Sequence, residues 1–140
     1  MRISTKGRYG LATMIMLAKK GGNHTAIDVS NYLGISKIYL EQVFSLLKKS
    51  ELIKSVKGSL GGYSLAKAAS DITAYDILKA TELALFEQTQ HSTATKQATD
   101  IETTLITHIW QPIDLSIQKL LTSTTLEDLS RNSDDNMFYI

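Results

Sequence analysis

Cysteine is missing altogether from the 140 residues. With it go disulfides, thiolate catalysis, cysteine-ligated zinc and any iron–sulfur cluster held by the chain's own thiolates. An apolar run of the ~20 residues needed to span a bilayer is missing too. Arg2, Lys6 and Arg8 ahead of the apolar stretch 11–18 imitate a signal peptide, but that stretch is short, ends in Lys19-Lys20-Gly21-Gly22 and offers no small-x-small cleavage site. The expectation is a buried first helix in a cytoplasmic protein. His24, His91 and His108 are scattered without metal-ligand spacing, and His108 reads as an ordinary packed histidine. Asp71 with Asp76, and Asp134 with Asp135, read as caps or solvated charges rather than an acid–base pair. The chain is therefore expected to be neither an enzyme nor a metal binder.

What the sequence has is an ordinary globular composition, 43% apolar and 21% charged, at a length suited to one domain or one domain with an extension. The overall net charge of +1 conceals a strong segregation. Residues 1–70 hold eleven Lys and Arg against three acids, a net +8, whereas residues 71–140 hold four against eleven, a net −7. The first half is built to meet a polyanion.

Residues 7–20 read as a helix apolar around most of its circumference, ended by Gly21-Gly22-Asn23. Thr25 with Asp28 forms a capping-box pattern that opens a short helix to Leu33, and Gly34 makes the turn. Ser36 is the next N-cap, with Ile35 and Leu40 placed as a hydrophobic staple. Leu40, Val43, Phe44 and Leu47 then recur at helical spacing as a buried stripe. Two short helices about a glycine turn make a helix-turn-helix. Residues 52–56 alternate as a strand, Lys57 to Gly62 carry turn chemistry, and residues 63–66 return as a second strand. That hairpin is a wing.

Thr73 with Asp76 repeats the capping box and opens a helix to about Leu85. Residues 86–100 read as a polar loop. From there Ile101, Leu105, Ile109, Ile113, Ile117 and Leu121 step by four, widened by Trp110, giving more apolar face than one small domain covers. This is read as a dimerisation helix within 101–130, with a kink or restart at Pro112 and a short last helix capped by Thr124 or Thr125. Residues 131–140 read as a flexible polar tail ending in Met137-Phe138-Tyr139-Ile140. The fold class is mainly α with a small β-hairpin wing: a winged helix-turn-helix over 1–85 plus a long C-terminal dimerisation helix.

The pattern assigns roles on duplex DNA. Arg2, Lys6 and Arg8 at the N-terminal entry and Lys54, Lys57 and Ser59 at the wing suit phosphates, and Thr5, Tyr9, Ser36 and Tyr39 add neutral donors. Base edges fall to the second helix of the motif: Lys37 towards guanine, Glu41 towards the cytosine amino group and Gln42 towards adenine. Glu41 has a plainer alternative as an intrahelical partner of Lys37 or Lys48.

The segment Met1 to Gly10, then Ile35-Ser36 with Tyr39-Leu40-Glu41-Gln42, then Gly61-Gly62-Tyr63-Ser64-Leu65, closely resemble the Rrf2 family of bacterial winged-helix transcription regulators. The resemblance implies a dimeric repressor, each subunit placing its second helix in a major groove and its wing near the minor groove. Cluster-sensing members hold iron and sulfur with three cysteines that fall here at Thr93, Thr99 and Leu105, and His108 matches an additional ligand. The resemblance therefore implies no cluster in this chain. Residues 3–11, 123–129 and 137–140 look most like the family's cysteine-poor repressors of cysteine metabolism. This implies cysteine synthase (O-acetylserine sulfhydrylase) as a sensory partner, bound through Phe138, Tyr139 and Ile140. Two other readings stand beside it: a cluster-free member with another regulon, and a protein-binding adaptor without specific DNA binding.

Overall fold

A serine hydroxyl starts the first helix. The Ser4 side chain accepts the backbone N–H of Gly7 at 3.2 Å and opens α1, Thr5–Lys20, ahead of Gly7 where the sequence pattern places its start. The computed structural model describes residues 3–58, 61–82 and 96–135. Met14 and Leu17 of α1 are fully buried, and the helix packs against the three other helices of the N-terminal half and the second strand of the wing.

The capping box of Thr25 and Asp28 forms as the spacing predicts and starts α2, Ala26–Leu33. Gly34 ends it in the left-handed region, at φ 69°, where a side chain would be strained. Ser30 Oγ donates to the carbonyl of Ile35 at 2.5 Å, which ties the turn to the helix before it. Ser36 then accepts the amide of Tyr39 at 3.3 Å and opens α3, Lys37–Lys49. Leu40, Val43, Phe44 and Leu47 are all buried, as their spacing requires.

The wing is a two-stranded antiparallel sheet of β1, Ile53–Ser55, and β2, Tyr63–Leu65, shorter than the alternating pattern extends. Ile53 faces Leu65, Lys54 faces Ser64 and Ser55 faces Tyr63. A backbone bridge and a ring stack are among the contacts that tie it to the body. Tyr63 and His24 exchange backbone hydrogen bonds of 2.8 and 2.9 Å, and the Phe44 and Tyr63 rings stack at 4.3 Å, 9° from parallel.

A 3₁₀ turn at Ala69–Asp71 leads to α4, Ala74–Thr81, opened by the capping box of Thr73 and Asp76. The chain is next described as one helical run. It comprises α5, Lys96–Leu105, a π-helical turn, Ile106–Trp110, and α6, Gln111–Ser123. The wide turn lies immediately before Pro112. Proline has no N–H to donate and crowds the carbonyl one turn back, so the helix absorbs it by widening rather than by breaking. After α6, Ala74 N–H bonds to the Thr124 carbonyl and Leu126 N–H to the Ile72 carbonyl, both at 2.8 Å. These seat α7, Leu126–Asp135, against α1. Between the two candidate caps, the structure selects Thr125, paired with Asp128.

Three expectations are corrected. Residues 96–100 are helical, not loop. They carry no apolar period, but Lys96, Gln97 and Ala98 are good helix formers, and extending a helix already nucleated adds a bond per residue. Residues 131–135 continue α7 rather than starting the tail, helped by local bonds such as Ser130 Oγ to the Glu127 carbonyl and Arg131 Nη2 to Asp128 Oδ1 at 2.7 Å. His108 is exposed, not packed, because the helix that carries it buries none of its residues between 106 and 123. No helix among the described residues is long and apolar enough to cross a membrane.

Candidate nucleic-acid interface

The first turn of α1 and the outer face of α3 meet in one groove. Lys6 from α1 and Ile38, Glu41, Gln42, Ser45 and Leu46 from α3 line a space of about 500 Å³. This brings together three of the sequence-predicted residues, Lys6, Glu41 and Gln42. Their neighbours Arg8, Ser36 and Lys37 are exposed on the same two elements. The junction is fixed by Tyr9 and Tyr39, whose rings meet edge to face at 5.1 Å and 83°. Both rings are half-buried, so these two residues act first as a strut between α1 and α3.

On α3, Lys37 Nζ stands 3.7 Å from Glu41 Oε1, each side chain about half exposed at 52% and 54%. The intrahelical alternative for Glu41 is thus realised in the free protein. An exposed pair of this kind contributes little, about 0.3–0.5 kcal/mol, and leaves both groups available to a better partner. Arg8 Nη2 donates to Thr5 Oγ1 at 3.3 Å, holding the guanidinium along the first turn. On the wing, Lys54 and Lys57 are exposed but do not line the groove. Arg2 and Ser59, and Phe138, Tyr139 and Ile140, for which the sequence reading expects a partner-binding role, lie outside the described residues.

Two further residues bear on the candidate interface, and the sequence pattern singles out neither. Glu82, buried at the end of α4, accepts the Ser4 N–H with Oε1 at 2.5 Å and so holds the N-terminus of α1. The contact joins residues 78 positions apart, and no local spacing announces it. Ile38, in the first turn of α3, is 75% exposed on the face that carries Glu41 and Gln42. Its signal was present in the sequence, as an apolar residue roughly 170° from the centre of the buried stripe at 100° per residue.

Along the long helix the candidate dimerisation residues are uncovered: Ile101, Leu105, Ile109, Trp110 and Ile113 are each 41–62% exposed. Ile117 and Leu121 are half-buried, and Leu115 and Leu120 add exposed apolar surface at 67% and 65%.

A family model described as Rrf2, iron-dependent transcriptional regulator, matches residues 3–132. The chain is similar to the HTH-type transcriptional regulator CymR of Bacillus subtilis, 38% identical over 148 aligned positions that cover all of both chains. It is 34% identical to IscR of Photorhabdus laumondii, covering 96% of this chain and 82% of that one. Among solved structures, that of B. subtilis CymR, described as the global cysteine regulator, superposes with a TM-score of 0.75 at 36% identity over 94% of this chain and 98% of that one. IscR of T. potens superposes at 0.73 with 30% identity, covering 97% and 90%. The family description invokes iron, but the donor set here does not suit an iron–sulfur cluster. The sequence supplies no thiolate to hold one. Among the described residues no three His, Asp or Glu side chains group as metal ligands.

Proposed function

The chain belongs to the Rrf2 family and is a DNA-binding transcriptional regulator, not an enzyme; from that premise we propose that it acts as a homodimeric, sequence-specific repressor of cysteine and sulfur-metabolism genes. The observation that carries the DNA-binding mode is the shared groove, where an ammonium from α1 stands beside the carboxylate and carboxamide of α3. In this reading Lys6, Arg8 and the wing residues Lys54 and Lys57 grip phosphates, while α3 enters the major groove and presents Lys37, Glu41 and Gln42 to base edges. The second copy covers the apolar face from Ile101 to Leu121, which a lone subunit leaves in water.

Selection of duplexes from a random library tests the reading, followed by affinity measurements on two variants. Glu41→Ala relaxes base preference and leaves or raises non-specific affinity, since a carboxylate near phosphates is repelled by them. Lys57→Ala weakens all duplexes alike. Uniform loss for Glu41→Ala, or no change for Lys57→Ala, contradicts the assignments.

The sulfur regulon and its sensor rest on the likeness to CymR across the whole of both chains. Cysteine synthase is the proposed partner, with Phe138, Tyr139 and Ile140 as the binding tip. A carboxylate held by backbone amides at a helix N-terminus, with the isoleucine side chain in an apolar pocket, would provide the recognition. Calorimetry against cysteine synthase, with and without Ile140 and with O-acetylserine as competitor, reads this directly. Binding that survives deletion of Ile140 contradicts it.

A further inference from the structure

Apart from the half-buried Leu46, the outward face of α3 is polar except in its first turn. Ile38 stands there with three-quarters of its surface in water, one turn before Glu41 and Gln42, its i+3 and i+4 neighbours. It lines the same groove as those two side chains and Lys6. It plays no part in the core, which Leu40, Val43, Phe44 and Leu47 supply from the opposite side of the helix. The core does not call for an apolar residue there, and its place in the groove beside Lys6, Glu41 and Gln42 points to what the face meets.

We propose that Ile38 is a specificity-determining residue that packs on the 5-methyl group of a thymine in the major groove. The inference rests on the DNA-binding reading above. Within the half of the chain that carries a net +8, and in a groove shared with an ammonium, a carboxylate and a carboxamide, the occupant is the major groove of a duplex. There, the thymine methyl is the one apolar group that a base pair presents. Gln42 suits the adenine N6 and N7 edge, so the pair Ile38 and Gln42 reads an A·T step by its methyl group and by its adenine edge. Glu41 reads a neighbouring cytosine.

Replacing thymine by deoxyuridine removes the methyl and leaves every hydrogen-bonding group in place. The test uses a duplex selected by the full-length protein, resynthesised with deoxyuridine at each thymine in turn, and titrated with the wild type and with Ile38→Ala. The substitution leaves the core untouched and raises helix propensity, and circular dichroism checks that the fold is kept. The wild type is expected to lose about four-fold in affinity at one thymine per half-site, the worth of one buried methyl, and about fifteen-fold when both are replaced. Ile38→Ala is expected to bind the thymine and deoxyuridine duplexes equally. A wild type indifferent to deoxyuridine at every position overturns the proposal while leaving sequence-specific binding intact, and so does a variant that keeps the full penalty. A selection that enriches no sequence removes the DNA-binding reading itself, and the proposal with it.

Discussion

Glu82, the residue that ends α4, holds the amide of Ser4, the residue that begins α1. The carboxylate lies over the positive end of α1 and accepts one of the amides that a helix start leaves without an intrahelical partner. Gly7 makes room for it: a Cβ there would fall 2.7 Å from Glu82 Cγ and Oε1. The basic first turn with Lys6 and Arg8 is thereby fixed to the body of the domain, a prerequisite for presenting its charges in register with α3.

Glu82→Ala removes the acceptor, and it is expected to lower stability by about 1–2 kcal/mol in urea unfolding. Glu82→Gln keeps a carbonyl oxygen and gives up only the charge, so it loses less, about 0.3–1 kcal/mol. Equal losses for the two variants would mean that the contact acts through the carboxylate's charge at the helix start rather than through the hydrogen bond.

The wing is anchored at a glycine. Gly62 has φ 115°, and a Cβ there would meet the His24 carbonyl at 2.8 Å, in the bridge that ties β2 to the α1–α2 connection. Gly62→Ala is expected to cost about 2–4 kcal/mol, from strain plus a backbone clash. Gly58→Ala, at φ 144° but facing open space, carries the strain alone and costs less. Thermal unfolding of the two variants orders them, and the reverse order contradicts the anchoring.

Asp128 makes the α7 cap pH-sensitive. The Thr125 backbone amide, the Thr125 hydroxyl and Arg131 together hold its carboxyl below the usual carboxylate range. A folded pKa lower than the unfolded one of about 3.9 stabilises the fold above that pH, and the contribution fades as pH falls through the folded value. Asp128→Asn should therefore unfold at lower temperature than the wild type at pH 7, with the gap closing in acid below about pH 3.9. A gap independent of pH would assign the loss to the cap geometry alone.

On the long helix, Ile109 and Ile113 are 42% and 45% exposed, so a charge at either spares the subunit's own core. The wild type is expected to have the mass of a dimer by light scattering, and Ile109→Glu or Ile113→Glu that of a monomer with its helicity kept. A wild-type monomer, or a dimer indifferent to both changes, removes this helix from the interface.

Local chemistry made much of this fold legible. The capping boxes at Thr25 and Thr73 and the cap at Ser36 announce themselves within four residues, because the side chain and the amide it satisfies are that close in sequence. The buried stripe of α3 and the uncovered stripe of the long helix follow from periodicity. What escaped is of two kinds. The Ser4–Glu82 bond and the approach of Gly62 to His24 join distant parts of the chain, where no spacing rule applies. Residues 96–100 and 131–135 are polar helix, held by propensity and local hydrogen bonds that leave no hydrophobic pattern to read. Tyr9 and Tyr39, assigned as phosphate donors on residue type, have rings that meet edge to face between α1 and α3.

Affinity for the selected duplex, followed from 50 to 200 mM salt, tests the central claim most directly. A dimer that neutralises about 6–10 phosphates through Lys6, Arg8, Lys54 and Lys57 loses roughly 10³–10⁵ in affinity across that range, and Lys57→Ala flattens the slope. Affinity that stays level with salt would show that the basic half of the chain does not grip a phosphate backbone, and would contradict the account at its root.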